Sequence, residues 1–167
     1  KLTSISKVAF QEKYLYDSEG VRKSKATDTR YFSSGGTSLT DLRPTNSISF
    51  IRGDLVRGMR YGANFFWYIA DGLVRTVVSS LGAVVGTYSS DEFGRQTGMS
   101  GTVERPHTYT GALGVRNEWS GDSQLLYARQ RWYDPEVGRW LSPDPMGFSA
   151  GPNLYNYVRN NPIASAD

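Results

Sequence analysis

At 167 residues the chain has room for one domain with its own core, and a net charge of only +3 does not mark a strongly acidic or basic partner. Cysteine is absent and histidine occurs once, at His107, which excludes a disulfide framework, a thiolate metal site and any multi-histidine centre. No apolar run approaches the roughly 18 residues a membrane-spanning helix needs, and these residues include no charged-then-apolar leader, so any targeting signal is expected upstream of Lys1.

Eleven tyrosines, seven phenylalanines, four tryptophans and eighteen glycines favour sheets and tight hairpins, because flat rings fit a pleated surface and glycine accepts positive φ. The first third carries Lys1, Lys7, Lys13, Arg22, Lys23, Lys25 and Arg30, interleaved with polar residues. Such spacing reads as the wet side of strands and not as the clustered face that nucleic acid requires.

An imperfect repeat then organises the chain. Its first copy is Tyr14-Leu15-Tyr16-Asp17 followed by Gly20 and Arg22, and its second Tyr68-Ile69-Ala70-Asp71-Gly72 followed by Arg75. The third runs Tyr88-Ser89-Ser90-Asp91 to Gly94-Arg95, and the fourth Tyr133-Asp134-Pro135 to Gly138-Arg139. In each, the aromatic residue is expected to end a strand, the aspartate to cap a turn and the glycine to take positive φ. The arginine opens the returning strand within reach of the aspartate. Between the turns, Ser47–Ile51, Leu73–Val78 and Ala83–Tyr88 read as strands. Ser79-Ser80-Leu81-Gly82 joins the last two as a hairpin, and Gly35-Gly36 and Arg43-Pro44-Thr45-Asn46 mark further turns.

Helix signals are few. Asp122–Tyr133 holds good helix formers, yet a period of two places Leu126, Ala128, Gln130 and Trp132 on one face and Leu125, Tyr127, Arg129 and Arg131 on the other. Gly121 and Asp134-Pro135 flank it as turns, so a strand is expected. A short helical turn is expected after Gly151, over Asn153–Tyr157.

From Lys13 onward the chain resembles the Rhs/YD-repeat proteins, and within them the Rhs-repeat-associated core. The resemblance is carried by the Asp71–Arg95 pair of repeats and by an ordered series after Leu126. That series is Tyr133-Asp134-Pro135, Gly138-Arg139, Ser142-Pro143-Asp144-Pro145, Asn153-Leu154-Tyr155 and Asn160-Asn161-Pro162. Ala70, Ser90 and Val74 depart from the repeat's usual tyrosines and glycine. The resemblance implies an all-β fold, an antiparallel hairpin strip forming a shell or barrel, with a short irregular or helical C-terminal core segment. Residues 1–125 are the hairpin repeats and 126–167 the core, in one continuous unit. It also implies a secreted or cell-surface location, upstream repeats, and a toxin cargo at the C-terminal side. On this resemblance the chain is expected to be a terminal fragment or a reduced member.

Toxin members of the family cut themselves next to two Asp-Pro-x-Gly elements. Asp144-Pro145-Met146-Gly147 matches the first, and Asp167 stands where the second would begin. The resemblance therefore makes Asp144 and Asp167 candidate catalytic aspartates, one kept protonated while the other activates water. Arg139, with Asp134, is either part of that site or a brace across a hairpin. The bland reading has Asp144 fix a turn between Pro143 and Pro145. His107 is expected to be a surface or hydrogen-bonded histidine, and Gly111–Gly114 lacks the features of a phosphate loop. No cofactor and no metal are called for.

Three roles follow: an encapsulating scaffold, taken first; an aspartyl autoprotease core; and a carbohydrate-binding module, since exposed rings stack on sugars, although packing between hairpins accounts for the repeated aromatics. Exposed strand edges are expected to recruit upstream repeats or another copy of the chain.

Overall fold

The computed structural model describes residues 4–7, 10–18, 22–25, 29–34, 37–42, 47–70, 73–101, 103, 106–120 and 123–163. The aromatic and β-branched runs form strands. β1 (Ser4–Lys7), β2 (Phe10–Tyr16), β3 (Arg22–Lys25), β4 (Thr29–Ser34), β5 (Thr37–Leu42) and β6 (Ile48–Arg52) lie in sequence order in one antiparallel sheet. The same sheet continues through β7 (Val56–Tyr61), β8 (Asn64–Ala70), β9 (Val74–Ser79), β10 (Val84–Ser90) and β11 (Gln96–Gly101). A second sheet, here called the cap, comprises β12 (Arg116–Ser120), β13 (Ser123–Ala128), β14 (Arg131–Asp134) and β15 (Arg139–Trp140). The fold is all-β, as the sequence leads one to expect: among the described residues helix is limited to single 3-10 turns at Gly111–Leu113, Gly147–Ala150 and Val158–Asn160.

Two expectations change in detail. The helical turn foreseen over Asn153–Tyr157 lies instead on either side of it, and Asn156 forms a β-bridge with Arg139. The single strand foreseen across 122–133 is a hairpin, β13 to β14, reversed at Arg129 with φ 54°. The reversal moves Trp132 to the face of Leu125 and Tyr127, with which it packs. β13 is thus buried on both faces, with Leu126 in a separate cluster beside Tyr133 and Trp140.

The repeat turn is built as its residues suggest, and it is clearest at Asp91–Arg95. Asp91 Oδ1 accepts from the N–H of Phe93 (3.1 Å) and Arg95 (2.9 Å), and Arg95 Nε donates to Oδ2 (3.1 Å). Gly94 takes φ 90°. A Cβ there would stand 2.5 Å from the Tyr109 ring, so glycine is required twice over. In the first copy Lys23 pairs with Asp17 (3.1 Å), and Asp71–Gly72 of the second copy lie outside the described residues. The strand register slips at Leu15/Tyr16, Ile69/Ala70 and Ser89/Ser90. These bulges fall at the same offset before each aspartate and twist the hairpins alike.

One face of the long sheet carries a core of Ile48, Phe50, Val56, Met59, Phe66, Val74, Val77 and Tyr88. The cap closes over this sheet through polar groups as well as apolar ones. Arg116 of β12 donates to both carboxylate oxygens of Asp41 on β5, at 3.0 and 2.7 Å. Glu118 Oε1 accepts from Arg116 Nε (3.3 Å) and from Arg22 Nη2 of β3 (2.6 Å). All four residues are buried. Arg22, expected on the wet side of its strand, instead lies 4.4 Å from the centre of the Tyr127 ring, between Tyr14 and Trp132. Its aliphatic stem and flat guanidinium suit that aromatic box, and Glu118 balances its charge.

Removing one member of such a buried network strands the others without their counter-charge. Arg116→Met is therefore expected to lower stability by about 3–5 kcal/mol, read as a fall in the urea midpoint. Lys23→Ala, which removes an exposed pair, is expected to cost less than about 1 kcal/mol.

Candidate functional site

Asp144 is placed by its own turn. Its Oδ1 accepts from the N–H of Met146 (2.8 Å), its carbonyl accepts from Gly147 N–H (3.0 Å), and Gly147 takes φ 61°. Asp144 N–H donates to Leu154 O (2.9 Å), tying the turn to the last segment. The second carboxylate oxygen, Oδ2, accepts from Arg131 Nη1 at 2.9 Å. The Arg131 guanidinium lies 4.0 Å from the Trp140 ring centre, and Trp140 in turn packs edge-on against Tyr133 and Tyr157. A rigid aromatic stack thus holds the arginine that holds the aspartate, and both charged side chains are mostly shielded from water.

Arg139 faces Asp134 as its strand partner and bridges to Asn156 through the backbone, with its side chain exposed. The cation on Asp144 is Arg131, which sequence reading passed over because nothing local links β14 to a turn thirteen positions on. Asp167 lies outside the described residues. Trp140 Nε1 and Asn156 Oδ1 are buried with no hydrogen-bond partner among the described residues. No group of three or more potential metal ligands occurs among those residues.

Among the described residues the His107 ring is neither at the surface nor hydrogen-bonded. It is 0% exposed, both ring nitrogens lack a partner among the described residues, and its ring meets Phe50 edge-on at 4.6 Å. Burial, with the nearby Arg116 charge, holds its pKa well below the ordinary 6.5. Of the rings available for stacking on sugars, Tyr14, Tyr88, Tyr133, Trp132 and Trp140 are buried in cores. Phe65 and Trp67 remain exposed on β8.

The cap and the segment that leads into it also read the repeat turn directly. Tyr109 OH donates to Glu92 O (2.8 Å), Tyr133 OH to Phe93 O (2.8 Å) and Gln124 Nε2 to Gly94 O (3.1 Å). Burial pushes both phenols up, so each stays a neutral donor.

No family model matches the chain. It is 30% identical over 173 residues to the tRNA3(Ser)-specific nuclease WapA of Bacillus spizizenii, covering 92% of this chain and 7% of that protein. It is 40% identical over 83 residues to the toxin subunit YenC2 of Yersinia entomophaga, covering 47% of this chain and 8% of the subunit. The relatives are toxin-related proteins of the Rhs type. The chain spans less than a tenth of the length of these two proteins. The crystal structure of TcdB2-TccC3-TEV superposes with a TM-score of 0.73 at 20% identity, over 95% of this chain and 9% of that one. That likeness establishes the fold.

The two roles of the Asp144 side chain separate by substitution. Asp144→Asn keeps the acceptor for Met146 N–H and loses the ion pair, whereas Asp144→Ala loses both. The expected order of stability is wild type, then Asn, then Ala, with Ala lower than Asn by about 1 kcal/mol, measured by urea unfolding.

Proposed function

We propose that this chain is the closing end of an encapsulating β-shell in a toxin-delivery protein, a scaffold with no turnover of its own. The buried charged seam supports the reading best. Arg116 and Glu118 fasten the cap to two strands of the strip, through Asp41 of β5 and Arg22 of β3, which is what a plug at the end of a hollow strip needs. The toxin character of the relatives supports a secreted or surface location and a cargo on the C-terminal side. β1, the first strand of the strip, is where upstream repeats would pair.

Encapsulation is tested on a longer chain that carries upstream repeats and a C-terminal segment. That segment is expected to resist added protease in the native protein and to become digestible in Arg116→Met. Equal digestion in both would remove the reading.

A second reading has its own support in the geometry of Asp144. An arginine-held aspartate in an Asp-Pro-Met-Gly turn suits one half of a two-aspartate peptidase acting once on its own chain. Water would add to the scissile carbonyl while one carboxylate takes its proton. The other, Asp167 in this reading, would give a proton to the departing amine. In a chain continuing past Asp167, Asp144→Asn is expected to leave the polypeptide intact where the native chain yields two fragments by mass spectrometry. Undiminished cleavage in that variant would exclude the aspartyl site.

A further inference from the structure

We propose that His107 is an acid-operated latch between strip and cap: when the imidazole takes up a proton, its segment leaves the seam and the two sheets part. The proposal does not depend on the encapsulation reading.

The position of the segment makes a latch possible. Residues 106–110 run between the sheets and bond to both. Thr108 O accepts from Val74 N–H of β9 (2.9 Å), and Pro106 O accepts from Asn117 N–H of β12 (2.7 Å). His107 lies between these two bonds, wholly buried. Its ring contacts Phe50 of β6 at 4.6 Å and Tyr68 of β8 at 6.2 Å. A Cβ on Gly111 would stand 2.8 Å from His107 Cβ, so the histidine has little room to shift within the closed seam.

The charged surroundings decide the direction. Arg116 of β12 and Arg52 of β6 act against an imidazolium, and Glu118 of β12 acts for it. Asp41 of β5 gives both oxygens to Arg116, and Glu118 Oε1 is shared by Arg22 and Arg116. The Tyr68 phenol, pushed up by its burial, stays neutral and adds no negative charge. A protonated His107 would therefore be a wholly buried charge opposed by two arginines, with neither N–H matched among the described residues. Burying an unmatched charge is costly, and moving out to water relieves it.

The sign follows from linkage. His107 is neutral in the closed state, with its pKa held below 6.5, and in the open state it regains an ordinary value of about 6.5. Opening then takes up one proton below that pH, so the open population rises about tenfold for each pH unit lost until the closed-state pKa is reached.

The test uses the whole chain and amide hydrogen exchange, corrected for intrinsic rates, between pH 7.5 and 5. Protection of the Val74 and Asn117 N–H groups is expected to fall about tenfold per unit below pH 6.5, while amides of Val77 and Val78 farther along β9 and those of β10 keep theirs. His107→Leu, and His107→Gln should leucine not fold, are expected to flatten that dependence. Equal loss in native and variant chains, or loss at every amide together, would overturn the latch. Because histidine occurs once, its imidazole C–H signal gives a second readout without substitution. Titration of that signal near 6.5 with the seam still protected would also overturn it.

Discussion

Closing the cap onto the strip depends on one constraint, that four charges leave water together. A guanidinium that donates to both oxygens of Asp41 does so only when β12 stands at one offset from β5. Arg116 and Glu118 lie two apart on the same strand, so fixing the first also fixes where the second meets Arg22. Because side chains alternate along a strand, a slip of one residue would turn both away from their partners. Apolar contacts between two sheets tolerate sliding, whereas this zigzag does not. Its net charge is zero, which limits the desolvation cost that a buried network must overcome.

A second contact reads the backbone of the strip. In most surface turns the outward carbonyls are satisfied by water. At Glu92, Phe93 and Gly94 three successive carbonyls instead accept from Tyr109, Tyr133 and Gln124. The turn can offer them because Asp91 and Arg95 already satisfy its internal donors. Gly94 has no side chain to keep the Tyr109 ring away. The repeat thus does two jobs with the same residues, reversing the strip and seating the cap.

Much of this was legible in the sequence wherever the controlling interaction is local. Asp91 and its turn span five residues, and the Ser79–Gly82 hairpin bonds Ser79 N–H to Ala83 O, so residue order alone announces both. The strand character of β13 was also legible, but its end was not. Arg129 reverses the chain at φ 54° without the glycine or asparagine that usually marks such a place. Arg22 looked like one more solvated cation because its partner Glu118 is 96 positions away. Asp41 was silent for the same reason, with Arg116 75 positions on. At the candidate site, the Asp-Pro-Met-Gly turn was visible, while Arg131 could be found only once β14 and the turn were brought together. His107 misled in the opposite direction, since a polar residue after proline suggests a loop and burial by distant strands overrides that preference.

Those same separations set the order of events in folding. Each hairpin of the strip pairs neighbours in sequence, which closes short loops and is entropically cheap. The seam joins residues 75 to 105 positions apart, so its loops are costly to close until the strip has drawn Arg22 and Asp41 into place. Cap closure therefore comes after the hairpins on entropic grounds, and also during synthesis, where the strip leaves the ribosome first. The bonds formed last, on the seam and its histidine segment, can reopen while the hairpins remain intact.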